Sequence, residues 1–357
     1  MDAKTQKNNY VVWSEEQKKY ILPPEQVVRD DVERHHWKQV LSNLLKDWRL
    51  YLMLVPMILV FFFWRYMPMY ELLGCFKYFD TSKAVAEQYF IGFGSFQDLL
   101  FGGYAKEFWR AFRNTFMLSF YGLCFGFPAP IILALFFNEI KSNIARSVYQ
   151  VCTYLPKFMS TVVITTLVTL LLQGKGVINE PGIISQLFVK IGLITPEVSN
   201  FGMMNNPQYF RAVYQISGIW ETAGYDSIVF FAAVIAISPT SYEAAQMDGA
   251  GKWSQMRFVV LPAILSTIVI MLIVRIGSLL SVGFEKVLLL YNQATYETAD
   301  VVSTFAARLG GIDGSSASSS IYRGIASASE MINNVTGMLL VIGANTISRK
   351  ASDVSLY

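Results

Sequence analysis

Apolar residues along this chain come in runs of about twenty, the length that carries an α-helix across the hydrocarbon core of a bilayer. Such runs occupy 50–73, 109–137, 148–173, 209–237, 262–283 and 326–347. Each predicts a membrane helix, so the expected fold is an all-α polytopic membrane protein with six core spans. Several runs carry breaks: Pro56 predicts a bend in the first, and Gly126, Pro128 and Pro130 interrupt the second. Such breaks are tolerated where neighbouring helices or a cavity satisfy the freed backbone groups. The third run contains Tyr154-Leu155-Pro156-Lys157-Phe158 and is read as one helix.

Between the runs, 77–107 and 174–207 are mixed and read as outer loops, the second with Gly176-Val177-Ile178-Asn179 and one short helix. The segment 285–323 is rich in Ser and Gly, and 300–320 is expected to be the least ordered part of it. Residues 1–47 form a polar extension with a candidate interfacial helix over 24–45, 48–350 the membrane domain, and 351–357 a short tail. No cleavable signal peptide is legible, because the first apolar run begins only at Leu50.

One connection is unlike the others. The polar island 239–261 lies between the fourth and fifth runs. Thr240 and Glu243 have the spacing of a capping box. Ala244, Ala245, Gln246 and Met247 then favour helix, and Gly249 and Gly251 offer exits from right-handed geometry. A second short helix over 252–260 leads to Pro262, suited to the first turn of the next span. The island reads as a helix, a bend and a helix outside the bilayer core.

Composition agrees with the pattern: 53% of the 357 residues are hydrophobic and only 15% are charged, concentrated between the runs. A net charge of +3 gives no nucleic-acid signature. Cys75, Cys124 and Cys152 lie in or beside apolar runs and are expected to be small core residues. The two histidines, His35 and His36, have no partners at metal-ligand spacing, so no metal site is expected. Basic residues cluster before the first span, at Lys141 and Arg146, at Lys252 and Arg257, and at Arg349 and Lys350, which supports a cytoplasmic side for both termini and the island, although the outer loops also carry Lys77, Lys83, Lys106, Lys175 and Lys190.

Glu243-Ala244-Ala245, then Asp248-Gly249-Ala250, Trp253 and Leu261-Pro262, resemble the EAA loop of binding-protein-dependent ABC importer permeases of the carbohydrate-uptake, maltose-type group. Met256 and Val259 stand where that pattern more often has Phe and Ile. Further stretches look like one branch, linked to complex and sometimes acidic oligosaccharides: 125–130 with Asn138-Glu139, 283–287 with Tyr291-Asn292, 296–300 and 345–350. The resemblance implies the type I importer permease fold, with the island as a cytoplasmic coupling helix carried by Glu243, Ala244, Ala245, Asp248, Gly249 and Ala250. It also implies two ABC ATPase subunits, a second homologous permease, an extracellular or periplasmic solute-binding protein and an oligosaccharide cargo. ATP and Mg would be bound by the ATPases, and this chain, a multi-pass component of the bacterial cytoplasmic membrane, would hold no cofactor and catalyse nothing.

Ionisable groups within membrane spans are functional candidates. Trp220 and Tyr225 could stack a sugar ring, while Glu221 and Asp226 could accept hydrogen bonds from its hydroxyls. Positions 221 and 225 share one helix face. Against that stand pairing of Asp226 with Arg275 and packing of Trp220 between helices. Lys157, Arg275, Asn333 and Asn334 are weaker candidates, and Glu285-Lys286 reads as a local pair or a docking contact. The rival readings are an ABC permease for a polyol or another solute, an ion-coupled secondary transporter using Asp226, Glu221 or Arg275, and a membrane enzyme, for which no catalytic set is legible.

Overall fold

The computed structural model describes residues 12–14, 19–21, 48–78, 89–173, 181–311 and 320–351. The expected interfacial helix over 24–45, the histidines, the stretch 176–179 and most of the tail lie outside the described residues. Two compact units divide after Glu71.

In the first unit, β1 (Val12–Ser14) pairs antiparallel with β2 (Lys19–Ile21), Trp13 opposite Tyr20. Helix α1 (Trp48–Phe76) begins there. Apolar side chains such as Leu50, Met53 and Trp64 are exposed all around it. A helix apolar on every side is a lipid-facing or buried one. Pro56 sits inside regular helix, and the irregularity falls instead at the π turn Phe62–Tyr66.

The second unit is a helical bundle: α2 (Gly94–Leu100), α3 (Ala105–Glu139), α4 (Asn143–Phe158), α5 (Thr161–Gln173), α6 (Ile183–Lys190), α7 (Pro196–Phe201), α8 (Pro207–Ile235), α9 (Pro239–Met247), α10 (Lys252–Ala263), α11 (Leu265–Gly277), α12 (Phe284–Leu290), α13 (Tyr296–Ala299), α14 (Val302–Leu309) and α15 (Ser320–Ala351). A two-residue ladder joins Lys77–Tyr78 to Tyr89–Phe90.

Among the described residues three helices, α1, α3 and α15, are long and apolar enough to span a membrane. The remaining candidates are broken pairs. The expected third helix over 148–173 is corrected in this way: α4 and α5 meet at 101°. Pro156 has no N–H to continue the ladder, and the chain tightens into a 3₁₀ turn over Leu155–Phe158 before α5 starts afresh. The fifth run is likewise divided, α10 and α11 meeting at 61° beside Ile264, and its helix stops at Gly277.

Gly126, Pro128 and Pro130 do not break α3. Its middle widens to a π turn over Gly122–Gly126, closed by the Phe127 N–H donating to the Gly122 carbonyl (3.0 Å). The wider turn leaves room for a proline ring that would collide with a regular preceding turn.

Helix α8, about 43 Å long at 1.5 Å per residue, is the spine of the bundle. It packs on the second half of α3 through Phe127 against Phe230 and Phe137 against Phe231, both edge-on. Gly224 lets it press on α4, since a Cβ there would fall 2.0 Å from the Thr153 carbonyl oxygen. At the end of α8 that leads into α9, Leu135, Val234, Val260 and Ile264 form a small core. At its other end, Leu118, Phe210, Val287 and Val301 join one cluster while Phe108, Val302, Phe305 and Ile325 join another.

Over 300–311 the composition misleads, while 312–319 lie outside the described residues. Asp300, Val301, Val302 and Phe305 are wholly buried, and α14 is one of the better-packed elements of the chain. Asp300 accepts two bonds from Arg308 (3.1 and 2.8 Å) and one from Thr304 (2.9 Å), with Arg110 at 3.7 Å. Asn114 on α3 donates to the carbonyls of Glu297 and Asp300 (both 3.0 Å) and accepts from Arg211 on α8 (3.0 Å). Of the cysteines, Cys75 is in the core as expected, but Cys124 and Cys152 are exposed on the bundle surface.

Candidate functional site

Two places on this frame carry chemistry. The first is the connection from α8 to α11. Pro239 opens α9 and Ser238 is its N-cap, its backbone extended. The expected Thr240–Glu243 capping box is absent: Thr240 is already inside the first turn, and its hydroxyl meets that of Ser238 at 2.7 Å. A residue with helical backbone cannot fold its side chain back over the helix start.

The other end of α9 closes as its sequence predicts. Gly249 has φ +75°, the Ala250 N–H donates to the Ala245 carbonyl (2.9 Å) and the Gly249 N–H to the Gln246 carbonyl (3.0 Å). This is a Schellman closure, which needs a left-handed residue at Gly249. Gly251 is extended and caps α10.

Two contacts fix the pair of helices to the bundle: Lys252 pairs with Glu139 at the end of α3, and Tyr242 packs on the core of Leu135, Val234 and Val260. Within the pair, the Gln255 amide donates to the Ala250 carbonyl (2.8 Å). The opposite face is bare. Glu243, Ala244, Asp248 and Gly249 are exposed, Ala245 and Ala250 half-buried. Met247 is 89% exposed, Trp253 73% and Phe258 70%.

The second place lies along the middle of α8, and here the expected constellation divides. Glu221 is largely buried and accepts from Lys286 on α12 at 2.8 Å. The ammonium lies 5.6 Å from the Tyr214 ring centre and against Gly218. The expected local Glu285–Lys286 pair is therefore replaced by a bond from Lys286 to α8. Trp220 turns away from Glu221 into an apolar groove of ≈ 590 Å³ between α5, α6 and α8, with Leu171, Phe188 and Ile216. Tyr225 is exposed, its ring edge-on to Phe158 (6.1 Å).

Asp226 forms no ion pair within 4.0 Å among the described residues, Arg275 included, although Lys157 and Arg275 are the cations whose fields reach it. Asn333 is buried, and its amide donates to the Leu280 carbonyl (3.2 Å), joining α15 to the segment after α11. Sequence reasoning missed the cleft between the π turn of α3 and α11, where Gln215 donates to the Leu118 carbonyl (2.6 Å) beside Arg275. Its signal was present as Gly122 and Gly126, four residues apart in an apolar run. Among the described residues no cluster of His, Cys, Asp and Glu could hold a metal ion.

The family described as "Binding-protein-dependent transport system inner membrane component" matches residues 126–284. Protein LplB of Bacillus subtilis (strain 168) is 34% identical over 318 residues, covering 89% of this chain and 93% of that protein. The chain belongs to this permease family. The polygalacturonan/rhamnogalacturonan transport system permease protein YteP of Bacillus subtilis (strain 168) is 33% identical to the permease, over 90% of this chain and 94% of its own length. The crystal structure of a bacterial ABC transporter involved in the import of the acidic polysaccharide alginate contains a chain 38% identical to the permease. The two superpose with a TM-score of 0.74, over 87% of the permease and 99% of that chain. The permease is thus a multi-pass inner-membrane component of a binding-protein-dependent transport system, with the helical fold of ABC importer permeases. The matched region 126–284 holds the connection from α8 to α11 and the whole of α8, and ends two residues before Lys286.

Proposed function

We propose that this chain is one of two non-identical permease subunits of an ABC importer for acidic oligosaccharides derived from polysaccharide. In this reading α1, α3, α4 with α5, α8, α10 with α11, and α15 are six spans, each bent pair crossing once. Helix α9 is the cytoplasmic coupling helix, seated in a cleft of an ATPase subunit. Two such ATPases supply ATP and Mg chemistry, and an extracellular or periplasmic binding protein delivers the cargo to the far end. Transport follows if ATP and loaded binding protein favour one membrane-domain state over the other.

The observation that carries the reading is the bare face of α9 and α10, bearing Met247, Trp253 and Phe258, on a helix pair tied by Lys252 and Tyr242 to the ends of α3, α8 and α11. A push on that face is delivered to several membrane helices at once. The acidic cargo is supported by the alginate importer's permease chain and by the name of YteP, whose cargo is polygalacturonan and rhamnogalacturonan. Two features weigh against an ion-coupled relay. Glu221 is committed to Lys286, and Asp226 has no adjoining carboxylate through which a proton could pass among the described residues.

The test is affinity purification of the tagged chain in mild detergent from its own cells, followed by uptake in reconstituted vesicles. The expected result is co-purification of a second permease and an ABC ATPase, with uptake of an oligogalacturonate that requires ATP and survives an ionophore. Uptake by this chain alone, abolished by the ionophore, would reject the reading.

A further inference from the structure

Beside the committed pair of Glu221 and Lys286, the bundle contains a cation that is not committed. Arg275 is exposed on α11, about 15 Å of helix rise beyond the bend at Ile264. Its guanidinium lies against the π turn halfway along α3: a Cβ at Gly122 would come 3.7 Å from Nη2, and one at Gly126 4.0 Å. Both measures put the charge deep in the span. There an exposed guanidinium is costly unless it faces water or a partner group. Among the described residues it has no ion pair within 4.0 Å.

The surroundings are built for an anion. A polar cleft of ≈ 120 Å³ is lined by Ser119, Gly122, Gln215, Arg275, Ser278 and Ser281. Among the described residues the Ser119 hydroxyl, on a residue only 8% exposed, has no hydrogen-bond partner. A buried hydroxyl without a partner costs free energy that a ligand oxygen would return. The two glycines keep the guanidinium's flank free of side chains, and π turns recur where a helix has been widened for function.

We infer that Arg275 and Ser119 form a subsite that takes the carboxylate of a uronate residue as the chain passes through the membrane. The inference rests on the acidic-cargo reading above. A guanidinium and a carboxylate match as a two-pronged pair, while an esterified or neutral sugar leaves the charge uncompensated.

The experiment uses the assembled importer in vesicles and reads ATPase stimulation against tetragalacturonate and its fully methyl-esterified form. Wild type should require at least tenfold more ester than acid for half-maximal stimulation. Arg275→Gln should raise the half-maximal concentration of the acid about tenfold and leave that of the ester within about twofold. Arg275→Lys, which keeps charge but loses the fork, should fall between. Ser119→Ala, too small a change to disturb the helix, should raise the acid value about threefold with the ester again unmoved. If wild type does not prefer the acid, the acidic-cargo reading fails and the subsite falls with it. If wild type prefers the acid and Arg275→Gln and Ser119→Ala prefer it equally, the subsite alone is overturned. It is also overturned if the variants weaken acid and ester alike, the result expected of a residue that only holds helices together.

Discussion

Lys286 and Glu221 stand 65 residues apart in sequence and 2.8 Å apart in the fold, both largely buried. The attraction of such a pair is offset by the cost of taking both charges out of water, so its net worth is small, but either charge left alone is expensive. Lys286→Met should therefore destabilise the detergent-solubilised protein by roughly 3–5 kcal/mol, read as a fall in melting temperature. The double variant Glu221→Leu with Lys286→Met should recover most of that loss. Failure of the second change to restore stability would mean that the pair is not the unit the distance implies. Nothing in the local sequence names Lys286 as the partner of Glu221, because helical periodicity orders residues around one helix and says nothing of what faces it. What was legible was that an acid within an apolar run needs an explanation. Trp220 illustrates the same limit: one position along α8 from Glu221, it faces an apolar groove instead of the polar face.

At the scale of the element, what the sequence disclosed was length and local closure. Apolar runs located α3, α8 and α15, and the Gly249 exit from α9 was legible because a left-handed residue is best supplied by glycine. The angles were not legible. Pro156 marks a break in the ladder, but the 101° between α4 and α5 goes with their different neighbours, α8 for α4 and chiefly α6 and α12 for α5, which sequence spacing does not encode. Composition failed in the opposite direction over α14, where Val302, Phe305, Ala306 and Leu309 carry a helical apolar stripe that Ser and Gly elsewhere in the segment obscured. For Gly249 the structure separates strain from docking. A Cβ there meets nothing within 4 Å of this chain, so the internal cost of a side chain is the left-handed backbone, about 1–2 kcal/mol. Gly249→Trp should leave the protein inserted and folded but lower ATP-driven uptake by at least tenfold, because the bulk collides only with a partner. Gly249→Asn, which tolerates the backbone, should lose less. Equal uptake in all three proteins would remove the loop from the coupling path.

For the whole molecule, the two ends of α8 are built by different physics. The end at α9 is held by a small apolar core and one partly exposed ion pair, Lys252 with Glu139, which contributes little in water. The far end is locked by a wholly buried carboxylate: Asp300 gathers Arg308, Arg110 and Thr304, while Asn114 stitches the same turn to α3 and, through Arg211, to α8. Arg308 also lies over the Tyr296 ring at 4.9 Å, which stacks on Tyr291. Burial and the neighbouring Tyr296 push the Tyr291 phenol above its ordinary value. If cargo is delivered at that end, as proposed above, α12 to α14 must be held at a fixed height over the bundle, and a desolvated charge network does that with little freedom to slide. Asp300→Asn keeps the shape but leaves two guanidiniums short of their anion, at a cost of roughly 3–5 kcal/mol. Its expected signature is local: backbone amides of 284–309 should exchange faster with deuterated water by at least tenfold, while those at the middle of α8 and α3 keep their wild-type protection. Uniform loss of protection along the chain would show instead that Asp300 supports the whole bundle, and unchanged exchange over 284–309 would show that the apolar contacts of Val301, Val302 and Phe305 hold these helices in place without it.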